Sequence, residues 1–400
     1  MEGNGLRAAV EAHQSEAMAL WRRWVERETP SGAKAALDAL GREIAASFAV
    51  LGFAEEFAAD AGGDHVILRR AGQGAAAGGR GSGWLLLGHL DTVYPRGTTL
   101  RMPWRLEGER VCGPGVMDMK GGIAVAWLAL RALHGFGGQA GKPAPRSGGV
   151  GPVGPVTVLL VSDEETGSAG SRALTERLAR QARAVLVLEP GGGETGKLKT
   201  ARKGIANFTL RAEGRAAHAG VDYFAGANAI VELARQAVEL AGWSDEARGV
   251  TVNCGVLHGG TRGNVVPAEA DLVVDARAWT AAELAAIAAR IARLQPVDPR
   301  VRLTVGGGVN RPPMEPSAAT AELFARAQLA GHGLGLAIEE CATGGGSDGN
   351  FTAALGIPTL DGLGVVGGGA HSPREWAHVH SLAERAALLA ALLSAPGAEA

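Results

Sequence analysis

The sequence predicts an α/β fold in which a largely parallel sheet is interrupted by an inserted α+β domain. Before residue 202, continuous apolar runs alternate with stretches of helical periodicity, which is typical of strands covered on both faces. From residue 202 the strands alternate polar and apolar residues, in the order strand-helix-strand-strand-helix-strand. Near residue 312 the first pattern returns. We therefore expect one domain over 1–201 and 312–400 and a second domain inserted over 202–311.

The elements of the first domain follow in chain order. The stretch 1–28 lacks a basic head followed by an apolar core, so it predicts an amphipathic helix rather than a secretory signal. Buried strands are predicted at three apolar runs, namely WLLLG (84–88), VTVLLVS (156–162) and AVLVLE (184–189). Crossover helices are predicted over 121–135 and 171–181, and Gly/Pro-rich loops over 71–83 and 138–155.

The inserted domain has the pattern of a small antiparallel α+β unit. The strands are predicted at 204–214, 249–259, 268–279 and 300–305. Its helices are predicted at about 226–241 and over the alanine-rich stretch 281–294. Beyond residue 312 the chain continues with helices and strands as far as the run ERAALLAALLSA.

Composition excludes several classes of protein. The net charge is -2 and the estimated isoelectric point is 6.6, so we expect no nucleic acid and no acidic membrane surface as a partner. No apolar run reaches the roughly 18 residues that a membrane span requires. The three cysteines are widely spread and form neither a disulfide framework nor a zinc knuckle, which favours a reduced, cytoplasmic location.

Two glycine motifs are weak evidence, because glycine contributes 61 of the 400 residues. The stretch GGGETGKL nearly matches a phosphate-binding loop, but Leu198 stands where a Mg²⁺-binding hydroxyl belongs. The stretch GGSDG (345–349) fits a nucleophile elbow, which needs a strand before it and a helix after it. The residues CAT before it are too few for a convincing strand, so we expect neither a nucleotide site nor a serine nucleophile.

Ligand-type side chains follow the predicted strands of the first domain. They are His89, Asp91, Glu164, Glu165 and Glu189, with Asp118 just before a helix. Each alone has an ordinary explanation as a loop or capping residue. However, the carboxyl ends of parallel strands meet at one edge of the sheet, so these side chains are expected in one crevice. Such a cluster of carboxylates needs cations, and imidazole with carboxylate suits Zn²⁺.

The motifs and their order resemble the co-catalytic zinc metallopeptidases, the family of aminoacylase, succinyl-diaminopimelate desuccinylase, carnosinase-type dipeptidases and bacterial glutamate carboxypeptidase. The resemblance covers residues 80 to 385 and is carried by GHLDTV, GPGVMDMKGG, SDEETGSAGS, VLEP, AAHAG, GGGSDG and GGGAHS. It is nearest to glutamate carboxypeptidase, because Glu189 in VLEP stands where many relatives carry aspartate.

The resemblance implies two Zn²⁺ ions per subunit, with Co²⁺ or Mn²⁺ as alternatives. His89 and Glu189 then bind one ion, Glu165 and His371 bind the other, and Asp118 bridges both. Asp91 fixes the tautomer of His89, as carboxylates behind zinc-binding histidines commonly do.

The resemblance also implies roles for residues that do not bind metal. Glu164 becomes the general base that moves a proton from the attacking water to the leaving amine. The inserted domain becomes a lid and dimerisation domain, and His218 in GRAAHAG stabilises the oxyanion in the partner's active site. The substrate contacts would come from Asn264, Arg277, Arg311 and Lys197.

The sequence departs from the expected pattern at two places, and the first bears on the identity of the substrate side chain. Lys199 replaces a family serine, and Arg202 and Lys203 follow it in TARKG. Met119 stands where the glutamate-specific relative has an aspartate, and in this the sequence resembles the wider family.

We therefore expect a cytoplasmic, homodimeric hydrolase that cleaves an amide next to a free C-terminal amino acid, such as glutamate. Small peptides or N-acyl amino acids would be its substrates. One alternative is an N-acyl-amino-acid deacylase or dipeptidase of the same family. A second is a catalytically silent metal-binding protein, which the intact Glu164 disfavours.

Overall fold

The computed structural model describes residues 3–72, 81, 83–134 and 154–394. Most of the predicted loops at 71–83 and 138–155 lies outside the described residues. The chain divides into two compact units. The first consists of Met1–Thr200, Pro316–Thr343 and Ser347–Ala400, and the second of Ala201–Glu315 and Gly344–Gly346. The predicted boundaries were 202 and 311, and the sequence pattern gave no sign that Gly344–Gly346 groups with the second unit.

The elements are numbered in chain order. The helices are α1 (Gly3–Glu11), α2 (Gln14–Val25), α3 (Lys34–Ala49), α4 (Thr98–Arg101), α5 (Gly122–His134), α6 (Arg172–Ala179), α7 (Ala229–Ala241), α8 (Ala281–Ile291), α9 (Ala318–Gly333), α10 (Gly349–Ala354) and α11 (Val379–Ser394). The first strands are β1 (Ala54–Ala58), β2 (His65–Arg70), β3 (Gly83–His89), β4 (Arg105–Glu107), β5 (Arg110–Cys112), β6 (Val156–Val161), β7 (Ala182–Val187) and β8 (Leu198–Arg202). The later strands are β9 (Gly204–Glu213), β10 (Thr251–Gly259), β11 (Glu269–Ala278), β12 (Arg302–Arg311), β13 (Glu340–Thr343), β14 (Thr359–Leu360), β15 (Gly367–Gly368) and β16 (Trp376–His378).

The main sheet of the first unit has the order β1-β2-β6-β3-β7-β14. Strands β6, β3, β7 and β14 are parallel, while β1 and β2 extend the sheet in antiparallel fashion. The apolar runs are buried on both faces, because Leu86 packs into one hydrophobic cluster while Leu85 and Leu87 pack into another. This confirms the predicted α/β class and explains why these strands read as unbroken apolar runs.

Three neighbouring parallel strands deliver the ligand-type residues to one edge of this sheet. His89 is the last residue of β3, and Glu189 follows the end of β7 by two positions. A short turn, Glu164–Thr166, follows the end of β6. His371 comes from elsewhere, in the loop that joins the antiparallel strands β15 and β16 of a small separate sheet.

The second unit is an antiparallel sheet in the order β10-β11-β9-β12, packed against helices α7 and α8. Both helices begin at a polar cap: Asn228 accepts a hydrogen bond from the Val231 N–H, and Thr280 accepts one from Glu283. Strand β12 extends to Arg311, further than the predicted end at 305. Its glycine-rich second half has low strand propensity, but pairing with β9 keeps it extended.

The N-terminal segment forms two helices, α1 and α2, instead of the single predicted helix. The break lets both helices bury their apolar side chains, Leu6 and Val10 from α1 and Trp21 and Trp24 from α2, in the same core. Within the described part of the chain, no helix has both the length and the apolar character needed to cross a membrane.

Candidate metal centre

Asp118 lies between two histidines. Its Oδ1 atom is 3.3 Å from Nε2 of His89, and its Oδ2 atom is 3.3 Å from Nε2 of His371. Each histidine also faces a second carboxylate: Glu189 Oε1 is 3.4 Å from His89 Nε2, and Glu165 Oε2 is 3.2 Å from His371 Nε2. The structure therefore brings all five predicted ligands together, in two groups that share Asp118.

The spacing and chemistry of these donors fit metal ions. Ligands about 2.0–2.1 Å from a tetrahedral Zn²⁺ ion lie about 3.3 Å from one another, which matches the observed separations. The Nε2 atom of His89 is buried and makes no hydrogen bond among the described residues, as expected for an atom whose partner is a cation. Donor atoms of His89, Asp118 and Glu165 lie within 4.8 Å of one another, as do those of His89, Glu164 and Glu189.

Asp91 is buried behind His89. The Nδ1 atom of His89 lies 3.0 Å from the Asp91 carbonyl oxygen and 3.4 Å from its carboxylate. Both are acceptors, so the neutral ring carries its proton on Nδ1 and turns the Nε2 lone pair toward the carboxylate cluster. The carbonyl oxygen is the nearer acceptor, and the tautomer-fixing role of the Asp91 carboxylate stays a prediction.

Asp91 also holds the turn that carries Glu164 and Glu165. Its two carboxylate oxygens accept hydrogen bonds from the backbone N–H groups of these residues, each at 3.2 Å. The Ser31 hydroxyl donates a further hydrogen bond at 2.7 Å. Burial alone would raise the pKa of Asp91, but its hydrogen bond with His89 and those from Ser31 and Glu165 hold the pKa below the usual value.

The charges of the cluster perturb its titrations. Burial works to lower the pKa of His89, yet the carboxylates of Asp118, Asp91 and Glu189 raise it well above the usual value. Asp118 and Glu165 raise the pKa of His371 to about 10. Burial raises the pKa of Glu165. The negative field around both imidazoles is therefore strong enough to attract a cation, whether a proton or a metal ion.

Glycine allows the close packing that places these loops. A Cβ atom on Gly122 would lie 1.9 Å from the carbonyl oxygen of Leu188, so helix α5 can begin against the segment that carries Glu189 only without a side chain there. Gly115 has a φ of +69°, in the left-handed region that favours glycine, at the entry to the turn of Asp118. The glycines of GPGVMDMKGG thus allow the backbone to turn and to pack closely at this site.

Sequence reasoning missed Glu375, which lies four residues after His371. Its side chain is buried, with 1% of the residue exposed, and its carboxylate contacts the turn that carries Asp118. Burial raises the pKa of Glu375 to about 7. The only indication in the sequence was that Glu375 lies in the same short stretch as His371. A single glutamate in a loop has no neighbouring pattern of residues that reveals whether its side chain is buried.

Within the second unit, His218 and Asn264 lie on adjoining segments. His218 pairs with Val265 in an isolated bridge, and the Ala219 N–H donates to the Asn264 carbonyl oxygen at 3.0 Å. The Nδ1 atom of His218 accepts hydrogen bonds from the backbone of Gly220 and Val221, each at 3.2 Å. The neutral ring therefore carries its proton on Nε2, which leaves an N–H donor at the exposed end of the imidazole.

The predicted substrate cations have protein partners of their own. Arg277 makes a two-pronged ion pair with Asp275, at 2.8 and 3.0 Å, and donates to the Gly344 carbonyl oxygen at 2.9 Å. Lys197 pairs with Glu339 at 3.0 Å on an exposed surface. Arg311 ends strand β12 and is 3% exposed. A substrate carboxylate at Arg277 or Lys197 must therefore compete with a carboxylate of the protein.

The two glycine motifs have no catalytic geometry. The predicted absence of a strand before GGSDG was wrong, because β13 covers ECAT and α10 starts at Gly349. However, Ser347 is fully buried and its hydroxyl donates to Asp361 Oδ2 at 2.6 Å, so it is not presented as a nucleophile. The stretch GGGETGKL leads into strand β8 rather than the helix that a phosphate-binding loop requires.

The comparisons with known proteins identify the family of the chain. The model of peptidase family M20/M25/M40 matches residues 85–395. Carboxypeptidase G2 from Pseudomonas sp. strain RS-16 is 32% identical over 385 residues, which cover 93% of this chain and 87% of the relative. Acetylornithine deacetylase from Salmonella arizonae is 33% identical over 218 residues, covering 50% of this chain and 52% of the relative.

A solved structure shows the same fold. The YxeP protein from Bacillus subtilis, described as a dinuclear metal-binding peptidase of family M20, superposes with a TM-score of 0.67. It is 14% identical, and the match covers 96% of this chain and 98% of that chain. The family match and the near full-length likeness to carboxypeptidase G2 decide the assignment. The chain belongs to peptidase family M20/M25/M40 and is a metallopeptidase or metal-dependent amidohydrolase.

Proposed function

We propose that the protein is a dinuclear metal-dependent carboxypeptidase that releases a C-terminal amino acid, with glutamate as its preferred product. The observation that carries the dinuclear proposal is that Asp118 faces a different histidine with each carboxylate oxygen. The description of the B. subtilis relative as a dinuclear metal-binding peptidase supports it. The carboxypeptidase reaction is supported by the likeness to carboxypeptidase G2.

In this proposal His89 and Glu189 hold one ion, Glu165 and His371 hold the other, and Asp118 holds both. We propose Zn²⁺ as the metal, since imidazole and carboxylate donors at tetrahedral spacing suit it, with Co²⁺ or Mn²⁺ as substitutes. Two bound ions would supply Lewis acidity at the scissile carbonyl and lower the pKa of a water.

Glu164 is the proposed general base. It offers an oxygen within 4.8 Å of donor atoms of His89 and Glu189, and Asp91 fixes its backbone. The predicted ligand pairs engage Glu165 and Glu189, so the Glu164 carboxylate is the one assigned to proton transfer. It takes a proton from the attacking water and returns it to the leaving amine.

We further propose that the second unit supplies the oxyanion donor and forms a homodimer. The Nε2–H of His218 is oriented by the backbone of Gly220 and Val221, which suits a donor to a developing negative charge. Asn264 lies on the adjoining segment and is the proposed substrate-binding amide. In the dimer, His218 would serve the active site of the other subunit.

For the substrate, we propose that Arg311 binds the free α-carboxylate, since a guanidinium pairs with it through two parallel hydrogen bonds. Arg277 and Lys197 would bind an acidic side chain and exchange their present partners, Asp275 and Glu339, for it. The free thiols Cys112, Cys254 and Cys341 accord with the predicted reduced, cytoplasmic location.

The second candidate function is deacylation of N-acyl amino acids, which the likeness to acetylornithine deacetylase over half of the chain favours. A substrate panel distinguishes the two. The protein is depleted of metal, reconstituted with Zn²⁺, Co²⁺ or Mn²⁺, and assayed on peptides with C-terminal glutamate, on N-acetyl amino acids and on dipeptides. The carboxypeptidase proposal expects the highest kcat/KM on the first group. A higher value on small N-acetyl amino acids would establish the deacylase instead.

A further inference from the structure

Glu375 joins the two loops that carry Asp118 and His371. Its Oε1 atom accepts hydrogen bonds from two consecutive backbone N–H groups, those of Met117 at 2.7 Å and Asp118 at 2.9 Å. Its Oε2 atom accepts from the Gly115 N–H at 3.0 Å and from the Tyr94 hydroxyl at 2.6 Å. One buried carboxylate thus serves four donors, and three of them belong to the turn that presents Asp118.

Tyr94 extends the connection to the other loop. Its hydroxyl oxygen is also 2.9 Å from the carbonyl oxygen of Ser372, directly after His371. His371 itself has a φ of +60°, in the left-handed region that residues other than glycine rarely adopt. A backbone in this conformation persists only when its surroundings hold it. Ser372, whose carbonyl oxygen Tyr94 contacts, and Glu375 lie one and four residues after His371.

Only a carboxylate satisfies all of these donors. A buried carboxylate is costly unless it is fully hydrogen-bonded, and its contacts here give it donors on both oxygens. A glutamine at this position keeps the shape but has a single acceptor oxygen, so its NH₂ group would face N–H or O–H donors on one side. The site therefore distinguishes glutamate from glutamine by chemistry rather than by size.

We infer that Glu375 is a positioning residue that sets the distance between Asp118 and His371 and thereby forms the metal site that these two residues share with Glu165. The inference rests on the proposed dinuclear centre. Glu375 contacts the backbone rather than the donor atoms of the ligands, so it acts through them. His89 ends strand β3 and Glu189 follows strand β7, whereas Glu375 binds the turn of Asp118 and lies in the loop of His371, so the ion that His89 and Glu189 hold should depend on Glu375 less.

The chain offers a matched control in the second unit. Glu232 is likewise buried, with 1% of the residue exposed, and its carboxylate accepts from two consecutive backbone N–H groups, those of Val297 and Asp298, each at 2.9 Å. Glu232→Gln therefore imposes the same chemical change on a loop that carries no predicted ligand. It separates the general effect of losing a buried carboxylate from an effect on the metals.

The experiment titrates metal-free wild type, Glu375→Gln and Glu232→Gln with Co²⁺ and follows the visible absorption bands of the bound ion. Thermal unfolding of each metal-free protein checks that it is folded, and kcat and KM are measured at each metal concentration. We expect two binding steps for the wild type and for Glu232→Gln. In Glu375→Gln one step should weaken by about 10- to 100-fold, and excess Co²⁺ should restore much of the lost kcat with little change in KM.

Tyr94→Phe is a second test of the inference, for use if Glu375→Gln does not fold. It removes a single hydroxyl at the same junction, and we expect a smaller weakening of the same binding step. Wild-type affinities and spectra in whichever of Glu375→Gln and Tyr94→Phe folds would overturn the inference, as would an equal loss in Glu232→Gln. A wild type that binds a single ion would contradict the proposed dinuclear centre itself, and this result is recognised before any variant is compared.

Discussion

The Asp91 carboxylate oxygen Oδ1 accepts a hydrogen bond from the backbone N–H of Glu164 at 3.2 Å while lying 3.4 Å from Nδ1 of His89. One buried side chain thus lies against a predicted metal ligand and also holds the backbone of the predicted general base. This arrangement explains why a histidine and an acid stand two positions apart in GHLDTV. The end of the strand carries the predicted ligand His89, and the turn that follows places Asp91 behind it.

Glu164→Gln tests the base. The variant keeps the size of the side chain and every proposed metal ligand, so it should bind both metals. It cannot accept a proton, and kcat should fall by about 10²–10⁴-fold. Metal content and turnover are measured on the same preparation, with the exposed Glu246→Gln as a control for the loss of a carboxylate. Activity near that of the wild type would remove Glu164 from the base role.

Asp91→Asn tests the support behind His89. An amide oxygen can still accept a hydrogen bond, but the NH₂ group meets a backbone N–H or the Nδ1–H of His89, and the negative charge is lost. Since substitutions behind a metal ligand commonly cost about 10- to 100-fold in metal affinity or activity, we expect a loss in that range. Competition with a chelator of known affinity measures it. Unchanged metal affinity together with unchanged kcat would show that Asp91 serves folding alone.

Subunit exchange tests whether His218 acts across a dimer. His218→Ala and Glu164→Gln should each be nearly inactive, but a mixed dimer has one active site with both wild-type residues. Activity should therefore return in part when the two inactive proteins are mixed and allowed to exchange. Differently tagged subunits confirm that mixed dimers have formed. Failure to recover activity in confirmed mixed dimers would place His218 in its own subunit or outside the reaction.

Substitutions of the three proposed substrate-binding cations test specificity. Arg311→Ala should raise KM for every substrate with a free α-carboxylate. Arg277→Ala and Lys197→Ala should reduce kcat/KM for N-acyl-glutamate more than for N-acyl-leucine, because each removes a charge-assisted hydrogen bond worth about 1.5–3 kcal/mol. Asp275→Ala and Glu339→Ala are informative companions, since they remove the carboxylates that now occupy these cations. Equal losses on both substrates would favour a broad deacylase or dipeptidase over a glutamate-releasing enzyme.

The sequence predicted the fold and the site well wherever buried segments leave a pattern of apolar residues. The apolar runs of β3, β6 and β7 located the parallel strands, and their ends located His89, Glu164, Glu165 and Glu189, because parallel strands share an edge. His371 follows no such strand, and only the resemblance to a family identified it. Its loop lies between two very short strands whose pairing depends on tertiary contacts.

Other features depend on contacts that no local pattern records. Glu375 reads as an ordinary polar loop residue, and its burial follows from the approach of two loops far apart in the chain. The glycine-rich end of β12 is extended only because β9 pairs with it. The ion-pair partners of Arg277 and Lys197 are likewise not evident from the sequence, which led us to expect that both cations are available to a substrate.

The most direct test of the account is a crystal structure of the Zn²⁺-loaded protein with anomalous diffraction measured at the zinc absorption edge. We expect two anomalous peaks about 3.5–4 Å apart, one on either side of the Asp118 carboxylate. One peak should lie against His89 and Glu189 and the other against His371 and Glu165. A single peak, or two peaks of which neither contacts Asp118, would contradict the dinuclear centre on which the proposed function rests.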